Sequence, residues 1–291
     1  MAPRIGFHAP IAGGLHKALL RAKELDCTAV QIFSRNPRGW MARPLSAEEI
    51  ELFRKTRRET GISPVVIHAN YLINLAAADA AVREKSIRAF REEVERGILL
   101  GADYVVVHPG SARGACEDDG IETCAASLRA ACAGLEANSL RILVENTAGQ
   151  GDCIGHRFEH LRRIIELCPE LELGACFDTA HAFAAGYELR DEEGLKRTLR
   201  ELERNVGAVP VVHFNDSKAA FASRVDRHWH IGEGQIGREA MHRIAGHRQF
   251  RNAAFLIETP QDSPEDDARN LSLLRSFVQR EKRSATGRLK N

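Results

Sequence analysis

The chain has 291 residues, of which 44% are hydrophobic and 28% charged, a composition that can bury a full core and that excludes disordered, collagen-like and coiled-coil proteins. No apolar stretch approaches the roughly 20 residues of a membrane span, and the first residues, MAPRIGFHAP, lack the apolar region of a secretory signal, so we expect a cytoplasmic protein with no membrane partner. The 41 basic and 40 acidic residues leave a net charge of +1, which gives no support to binding nucleic acid through overall charge but leaves room for a local basic rim that holds phosphates.

Short, almost continuously apolar runs alternate along the chain with longer segments that have a helical pattern. Runs such as VVIH, YVVVH and RILVE are typical of strands that are buried on both faces, as in a parallel sheet covered by helices. The predicted strands are Arg4–His8, Thr28–Phe33, Pro64–His68, Asp103–His108, Arg141–Glu145, Glu172–Asp178, Pro210–Phe214 and Ala253–Glu258. Helical stretches follow the strands, among them Gly14–Leu25, Ser46–Thr60, Ala80–Leu100 and Gly120–Asn138.

Eight strand–helix units in this length predict an α/β protein with a single (β/α)₈ TIM barrel over residues 1–280. No Pro/Gly/Ser-rich linker divides the chain. Residues 281–291 are basic and polar, and we expect them to form a flexible tail.

Seven of the eight predicted strands end in or beside an imidazole or a carboxylate, although these residue types are depleted in strands. In a barrel, all carboxyl ends of the strands open onto one mouth, where the chemistry of this fold takes place. Any one of these residues has an alternative role in capping a loop or a helix. The strand-end residues are His8, His68, His108, Glu145, Asp178, His213 and Glu258.

Two other segments add residues of the same kind. His181 follows Asp178 by three positions, and Asp226 and His228 are two apart, on one side of an extended segment. Without His8, the set has nine members: His68, His108, Glu145, Asp178, His181, His213, Asp226, His228 and Glu258. Imidazole nitrogens and carboxylate oxygens are ligands of catalytic zinc or manganese. One tetrahedral ion needs at most four ligands, so the nine suit three ions that share a carboxylate, which favours hydrolysis of a phosphodiester.

Six segments resemble the signature blocks of the endonuclease IV family, the zinc-dependent apurinic/apyrimidinic endonucleases of base-excision repair. They are HANYLINLA (68–76), VVVHPGS (105–111), LVENTAGQG (143–151), DTAHAFAAGY (178–187), HFNDSK (213–218) and SRVDRHWHIGEGQIG (223–237). The resemblance implies a hydrolase of the deoxyribonuclease IV (phage-T4-induced) type. Such an enzyme cuts double-stranded DNA 5′ to an abasic site by a multi-zinc hydroxide mechanism and leaves a 3′-hydroxyl and a 5′-deoxyribose phosphate. It also implies a monomer.

The resemblance assigns roles to individual residues. It implies three Zn²⁺ per chain, with Mn²⁺ as an alternative at some sites, and it makes Glu145 and Glu258 catalytic. The first ion would be held by His68, His108 and Glu145, the second by Glu145 as a bridge with Asp178, His213 and Glu258, and the third by His181, Asp226 and His228. The residues that would enter the DNA at the abasic site are Arg38, Tyr71 and Leu72. The sequence departs from the family pattern at Pro10, Pro37, Gly39 and Ala180, none of which is a proposed ligand.

Two other functions remain open. A sugar isomerase of related architecture uses two metals held by Glu, Asp and His, but leaves His181, Asp226 and His228 unexplained. A non-catalytic nucleic-acid-binding barrel is the other alternative. The segment GEGQIG (232–237) matches a dinucleotide-binding pattern but does not directly follow a strand, so we expect it to shape a turn before a helix. His230 lies two residues beyond His228, and we expect it not to bind metal directly.

Overall fold

A computed structural model describes residues 4–136 and 140–287. Within them, the strands are β1 (Arg4–Phe7), β2 (Val30–Phe33), β3 (Val65–His68), β4 (Tyr104–Val107), β5 (Arg141–Glu145), β6 (Gly174–Asp178), β7 (Val211–His213), β8 (Asp216–Ser217), β9 (His228–Trp229) and β10 (Ala254–Ile257). Strands β8 and β9 form a separate antiparallel pair, and the other eight form one parallel sheet. All eight strands of the parallel sheet match predicted strands: β5 has the predicted bounds, and no end of the others differs by more than two residues.

The parallel sheet curls into a nearly closed barrel. Its hydrogen-bonded order is β1-β10-β7-β6-β5-β4-β3-β2. Between β1 and β2, at the two ends of this order, a bridge joins His8 to Gln31, and the Ala9 N–H donates to the Gln31 carbonyl at 2.8 Å. The predicted TIM barrel is therefore confirmed.

Nine α-helices lie in the part of the chain that the structure describes. They are α1 (Leu15–Glu24), α2 (Ala47–Thr60), α3 (Ala80–Leu100), α4 (Glu117–Cys132), α5 (Phe158–Glu166), α6 (Thr179–Ala185), α7 (Glu192–Val206), α8 (Arg238–Gly246) and α9 (Asp266–Gly287). The beginning of α2 shows why such segments are helical: Ser46 and Glu49 form a reciprocal capping box. The helix ends at Gly61, whose φ of +69° suits glycine.

The predicted bounds of α4, Gly120–Asn138, are wrong. The helix begins at Glu117 because the Cys116 side chain caps it and three acidic residues fill its first turn. It ends at Cys132, and Gly134 then has a φ of +71°. Asn138 lies outside the described residues.

The core has two layers, one on each side of the barrel wall. Side chains such as Val65, Val105 and Val144 face outward and pack with the apolar faces of the helices. The interior is filled by Ala29, Val66, Val106, Leu143, Cys176, Val211, Ala254 and Leu256. Because neighbouring residues on each strand face opposite layers, the strands are apolar throughout.

The predicted division of the chain at residue 280 falls within α9, which continues to Gly287. The barrel and tail assignment therefore stays a prediction, and residues 288–291 lie outside the described part. None of the helices in residues 4–136 and 140–287 combines the length and the apolar character needed to cross a membrane.

Candidate metal centre

The polar side chains at the barrel mouth follow the interior core residues by two positions. On β5, Leu143 fills the interior and Glu145 is the next residue on the same face. The same spacing joins Val66 to His68 on β3. Each strand of the barrel supplies one such position: His8, Gln31, His68, His108, Glu145, Asp178, His213 and Glu258. The periodicity of the strands thus builds a ring of polar groups on an apolar floor.

Glu145 lies at the centre of this ring and is fully buried. Its Oε2 is 3.4 Å from His68 Nε2 and 3.1 Å from His108 Nε2. Its Oε1 is 2.9 Å from His213 Nδ1 and 3.3 Å from His181 Nδ1. The two carboxylate oxygens therefore face different histidines, which is an arrangement that allows one carboxylate to bridge two cations.

A second group of ligand atoms converges beside Glu145. His181 Nε2 lies 3.2 Å from Asp226 Oδ2 and 3.2 Å from His228 Nε2, and His228 Nε2 lies 3.5 Å from Asp226 Oδ1. Tetrahedral ligands with bonds of about 2.0–2.1 Å are about 3.4 Å apart. These three side chains can therefore hold one zinc-sized ion with little movement.

The orientation of two histidines is fixed by backbone carbonyls. His68 Nδ1 donates to the Ala69 carbonyl at 2.7 Å, and His181 Nδ1 donates to the Asn146 carbonyl at 2.9 Å. Each ring consequently presents Nε2 to the site. A carbonyl behind a histidine is the usual support of a metal ligand in proteins.

Asp178 has both of the roles considered for a strand-end carboxylate. Its Oδ1 accepts the His181 backbone N–H at 2.7 Å and so caps α6. Its Oδ2 accepts from Asn215 Nδ2 at 2.7 Å and lies 3.5 Å from His228 Nε2. One oxygen therefore stabilises the helix while the other faces the cluster.

The electrostatics of the cluster favour bound cations. Burial favours the neutral acid, but the imidazoles of His213 and His108 hold the pKa of Glu145 well below its usual range. Burial likewise opposes a charged imidazole, but Asp178 and Asp226 raise the pKa of His181 well above its ordinary value. The carboxylates thus attract positive charge, which either protons or metal ions can supply.

Unsatisfied polar atoms also fit a metal. Within the described residues, Glu145 Oε2 and His108 Nε2 are buried and, although 3.1 Å apart, are not placed to form a hydrogen bond with each other or with another group, which is rare in folded proteins. Cys176 lies close to His213, but burial raises the pKa of its thiol to about 12, so the donor set is imidazole and carboxylate. The residues present therefore fit zinc or manganese ions.

The structure brings all nine predicted ligand-type residues together and adds Gln31, which the sequence analysis missed. The last residue of β2 is Phe33, as predicted, but Gln31 is the residue of this strand that faces the mouth, and it is fully buried. The period of two starting from the interior residue Ala29 could have identified it.

The three residues predicted to enter DNA lie on two loops that touch each other. The Tyr71 N–H donates to the Pro37 carbonyl at 3.2 Å, and Asn70 Nδ2 donates to the Gly39 carbonyl at 3.4 Å. Arg38 is exposed, Leu72 is half-buried, and the Tyr71 side chain is 64% exposed. A cavity of about 210 Å³ beside Tyr71 reaches His68 and His108.

The glycine-rich segment (232–237) and His230 are held by contacts with other parts of the fold. The Asp216 carboxylate accepts backbone N–H groups from Gly232, Gly234, Ile236 and Gly237, which closes the turn that leads to α8. This agrees with the predicted turn before a helix, which begins at Arg238. His230 Nδ1 is 3.1 Å from Asn270 Nδ2 on α9.

Comparisons with known proteins agree with this architecture. A family model described as a xylose isomerase-like TIM barrel matches residues 19–277. The chain is 47% identical over 282 residues to the probable endonuclease 4 of Chloroflexus aurantiacus (strain ATCC 29366 / DSM 635 / J-10-fl), covering 95% of this chain and 99% of the relative. It is 42% identical to endonuclease IV from Thermus thermophilus, with a TM-score of 0.85, and the match covers 96% of this chain and all of that structure.

A more distant structure shares the fold alone. A D-tagatose 3-epimerase-like protein has a TM-score of 0.74 at 19% identity, and the match covers 97% of this chain and 99% of that one. The resemblance in the signature segments, the family model and the relatives above 40% identity agree with one another. The chain belongs to the endonuclease IV family, within the xylose isomerase-like TIM barrels.

Proposed function

We propose that the protein is a metal-dependent endonuclease of DNA repair. It would hydrolyse double-stranded DNA on the 5′ side of an abasic site and leave a 3′-hydroxyl and a 5′-deoxyribose phosphate. The observation that carries the proposal is the convergence of nine imidazole and carboxylate side chains, Glu145 among them, in a chain 47% identical to a protein named probable endonuclease 4.

The cluster would hold three divalent ions, zinc at all sites or manganese at some. His68, His108 and Glu145 would bind the first ion. Glu145, Asp178, His213 and Glu258 would bind the second. His181, Asp226 and His228 would bind the third. Distances of 2.9–3.5 Å within each group support this grouping for eight of the nine residues. Asp178 is assigned to the second ion by the family resemblance, while its Oδ2 lies 3.5 Å from His228 Nε2 of the third group.

The ions, when bound, would polarise the phosphodiester and lower the pKa of water. The chain's own residues prepare the site for this chemistry. Glu145 would hold two cations close together with a single carboxylate, because each of its oxygens faces a different side of the cluster. Glu258, whose Oε2 lies 3.3 Å from His213 Nδ1, would complete the second ion's shell at the edge that faces substrate. The buried apolar floor excludes water from below.

Recognition of the lesion would come from the two touching loops. Tyr71 and Leu72 would replace the stacking that a missing base leaves vacant, and Arg38 would contact the DNA beside them. Extruding a nucleotide costs a few kcal/mol and costs least where pairing is already lost, so insertion selects abasic sites. The exposure of Tyr71 next to the cavity at His68 and His108 supports this arrangement.

The sugar-isomerase alternative is disfavoured by the third group of ligands. His181, Asp226 and His228 converge to 3.2–3.5 Å although a two-metal isomerase has no use for them. The non-catalytic alternative is disfavoured because a decayed site would have lost at least one ligand, and all nine side chains lie in the cluster. We propose further that the enzyme acts as a monomer in the cytoplasm and needs no protein partner.

The test combines metal analysis with cleavage of a duplex oligonucleotide that carries one abasic site, with and without a chelator. We expect about three metal ions per chain, a single cut 5′ to the abasic site, and loss of cleavage after chelation. An isomerase would show one or two ions and no cleavage. A zinc-loaded protein that binds abasic DNA without cutting it would support the non-catalytic alternative.

A further inference from the structure

Gln31 is the only amide among the eight polar positions at the barrel mouth. The other seven positions hold an imidazole or a carboxylate. Gln31 is fully buried on β2, where an apolar residue would continue the hydrophobic strand pattern. A buried amide in such a place needs partners for both its oxygen and its nitrogen, because leaving either one unpaired is costly.

The amide makes three contacts across the mouth. Its Oε1 accepts from His213 Nε2 at 2.8 Å. Its Nε2 donates to Glu258 Oε1 at 2.6 Å and to His8 Nδ1 at 3.0 Å. One side chain of β2 therefore contacts β7 and the residues that directly follow β1 and β10.

These contacts determine where the protons of the two histidines lie. Because the Gln31 oxygen only accepts, His213 must carry a hydrogen on Nε2. The lone pair of neutral His213 is then on Nδ1, which lies 2.9 Å from Glu145 Oε1 and 3.3 Å from Glu258 Oε2. The Gln31 nitrogen only donates, so in its 3.0 Å contact His8 Nδ1 accepts, and the hydrogen of neutral His8 is then on Nε2. Glu258 Oε1, the other group that faces His8 Nδ1, is farther away, at 3.4 Å.

The free nitrogen of His8 has an unusual environment. His8 Nε2 is buried and, within the described residues, has no hydrogen-bond partner. His8 lies at the mouth and its ring is 6.1 Å from that of His68, centre to centre. A donor fixed on Nε2 is therefore available to an acceptor that enters the site.

We propose that Gln31 is a positioning residue that fixes the tautomers of His213 and His8 and the orientation of Glu258. It would direct the His213 Nδ1 lone pair and the Glu258 carboxylate toward the second ion. This inference rests on the proposed function for the identity of that ion, whereas the hydrogen-bond pattern stands on the geometry alone. Partners behind metal ligands typically contribute about 10–100-fold to metal affinity.

The first test uses nitrogen and proton NMR of the zinc-loaded protein, since zinc is diamagnetic. We expect a slowly exchanging His213 Nε2–H signal, shifted downfield by the bond to Gln31, and a His8 ring protonated on Nε2. Gln31→Met has nearly the same volume but no amide, so the His213 proton should move upfield and exchange faster. Unchanged signals in this variant would overturn the proposal.

A second variant distinguishes the effect of Gln31 on His213 from its effect on His8, and it keeps the proposal testable if Gln31→Met does not fold. In Gln31→Glu, a carboxylate still accepts from His213 Nε2, so that signal should persist. It can no longer donate to His8, so the His8 hydrogen should move from Nε2 to Nδ1. A His8 tautomer that is the same in both proteins would show that Gln31 does not set it.

The third test measures zinc affinity by competition with a chelator. Gln31→Met should weaken one of the three ions by about 10–100-fold and leave the other two unchanged. The matched control is Gln249→Met, which removes the hydrogen bond that Gln249 Nε2 donates to the Leu199 carbonyl and should leave the affinity of all three ions unchanged. If Gln31→Met binds all three ions with the wild-type affinity, the inference is overturned and the proposed function is unaffected. If the wild-type protein binds no zinc, the proposed function is overturned.

Discussion

At the scale of single residues, Glu145 combines full burial with a negative charge. It is a fully buried carboxylate whose neighbours are four imidazoles. Such a group is stable only while positive charge surrounds it, because an isolated buried anion is costly. Its substitution should therefore affect the cations before it affects the fold.

Glu145→Gln should abolish incision and leave the barrel folded. The neutral amide has nearly the same shape, but it holds two cations poorly and presents N–H groups where the cluster needs acceptors. Incision rates at full metal loading, metal content and the circular dichroism spectrum are the measurements. Glu122→Gln, on the exposed face of α4, is the matched control and should behave as wild type. A Glu145→Gln rate above about a tenth of the wild-type rate would contradict the bridging role.

Tyr71→Ala should weaken binding to abasic duplex by about 1–3 kcal/mol, the range of a lost stacking contact. Binding to intact duplex and metal content should barely change, because the side chain is 64% exposed and is not a proposed ligand. Titration of both duplexes by fluorescence anisotropy measures this, with Leu52→Ala on α2 as the control. Equal losses on both duplexes would mean that Tyr71 is structural; its ring already packs against Phe33 at 5.1 Å between centres.

At the scale of elements, the sequence predicts the regular part of the barrel well. A strand of four or five residues that is buried on both faces leaves a continuous apolar run, and a carboxylate or imidazole at its end is conspicuous. The eight strands and the nine members of the cluster could therefore be located without coordinates. For six of these nine residues local chemistry was sufficient, because each follows the interior residue of its own strand by two positions. The other three, His181, Asp226 and His228, were found from their spacing to residues of the same kind.

Features that depend on packing between distant segments could not be predicted. The pair β8 and β9 has only two residues in each strand, too few for a sequence pattern. The period of two places Gln31 on the mouth-facing side of its strand, but its contacts with His213 and Glu258, far away along the chain, have no local signal. The loop after β2 is held by a buried network in which Arg35 pairs with Glu93 of α3 at 2.8 Å.

At the start of α5, His160 makes the stability of the fold depend on pH. His160 is buried, and its Nδ1 accepts the Gly155 N–H at 3.1 Å, so protonation of that nitrogen would break the bond. Burial, together with the neighbouring His156, lowers the pKa of His160 to about 4, against 6.5 for an ordinary histidine, while Glu117 opposes the shift. Because the folded pKa is the lower one, the unfolded chain binds more protons between these values. The resulting stability is complete above pH 6.5 and is lost as the pH falls toward 4.

His160→Asn should therefore flatten the loss of stability in acid. The amide oxygen can still accept the Gly155 N–H, but it does not titrate. Between pH 7 and 4.5 the free energy of unfolding should fall by about 1–3 kcal/mol more in the wild type than in the variant. Urea unfolding in the presence of a chelator removes the contribution of metals, and His16→Asn on α1 is the control. Parallel pH profiles for wild type and His160→Asn would contradict the prediction.

At the scale of the whole molecule, charge is balanced overall but not at every surface. The net charge is +1, yet exposed arginines occur on the segments that surround the mouth, at Arg38, Arg224 and Arg227. Arg38 follows Pro37, which contacts Tyr71, and Arg224 and Arg227 lie beside Asp226. Affinity for DNA would consequently come from a local rim, with the remaining surface contributing little.

Salt dependence tests this rim directly. Binding of abasic duplex should weaken as salt rises, because each arginine that neutralises a phosphate releases counterions, and the slope of log K against log salt counts these contacts. Arg38→Gln and Arg227→Gln should each reduce the magnitude of the slope by about 1. The control, Arg58→Gln, removes an exposed arginine near the end of α2 and should leave the slope unchanged, although it lowers the net charge equally. If all three variants shift the slope alike, total charge governs binding. If the wild-type affinity is flat between low and physiological salt, the protein does not contact phosphates through this rim at all.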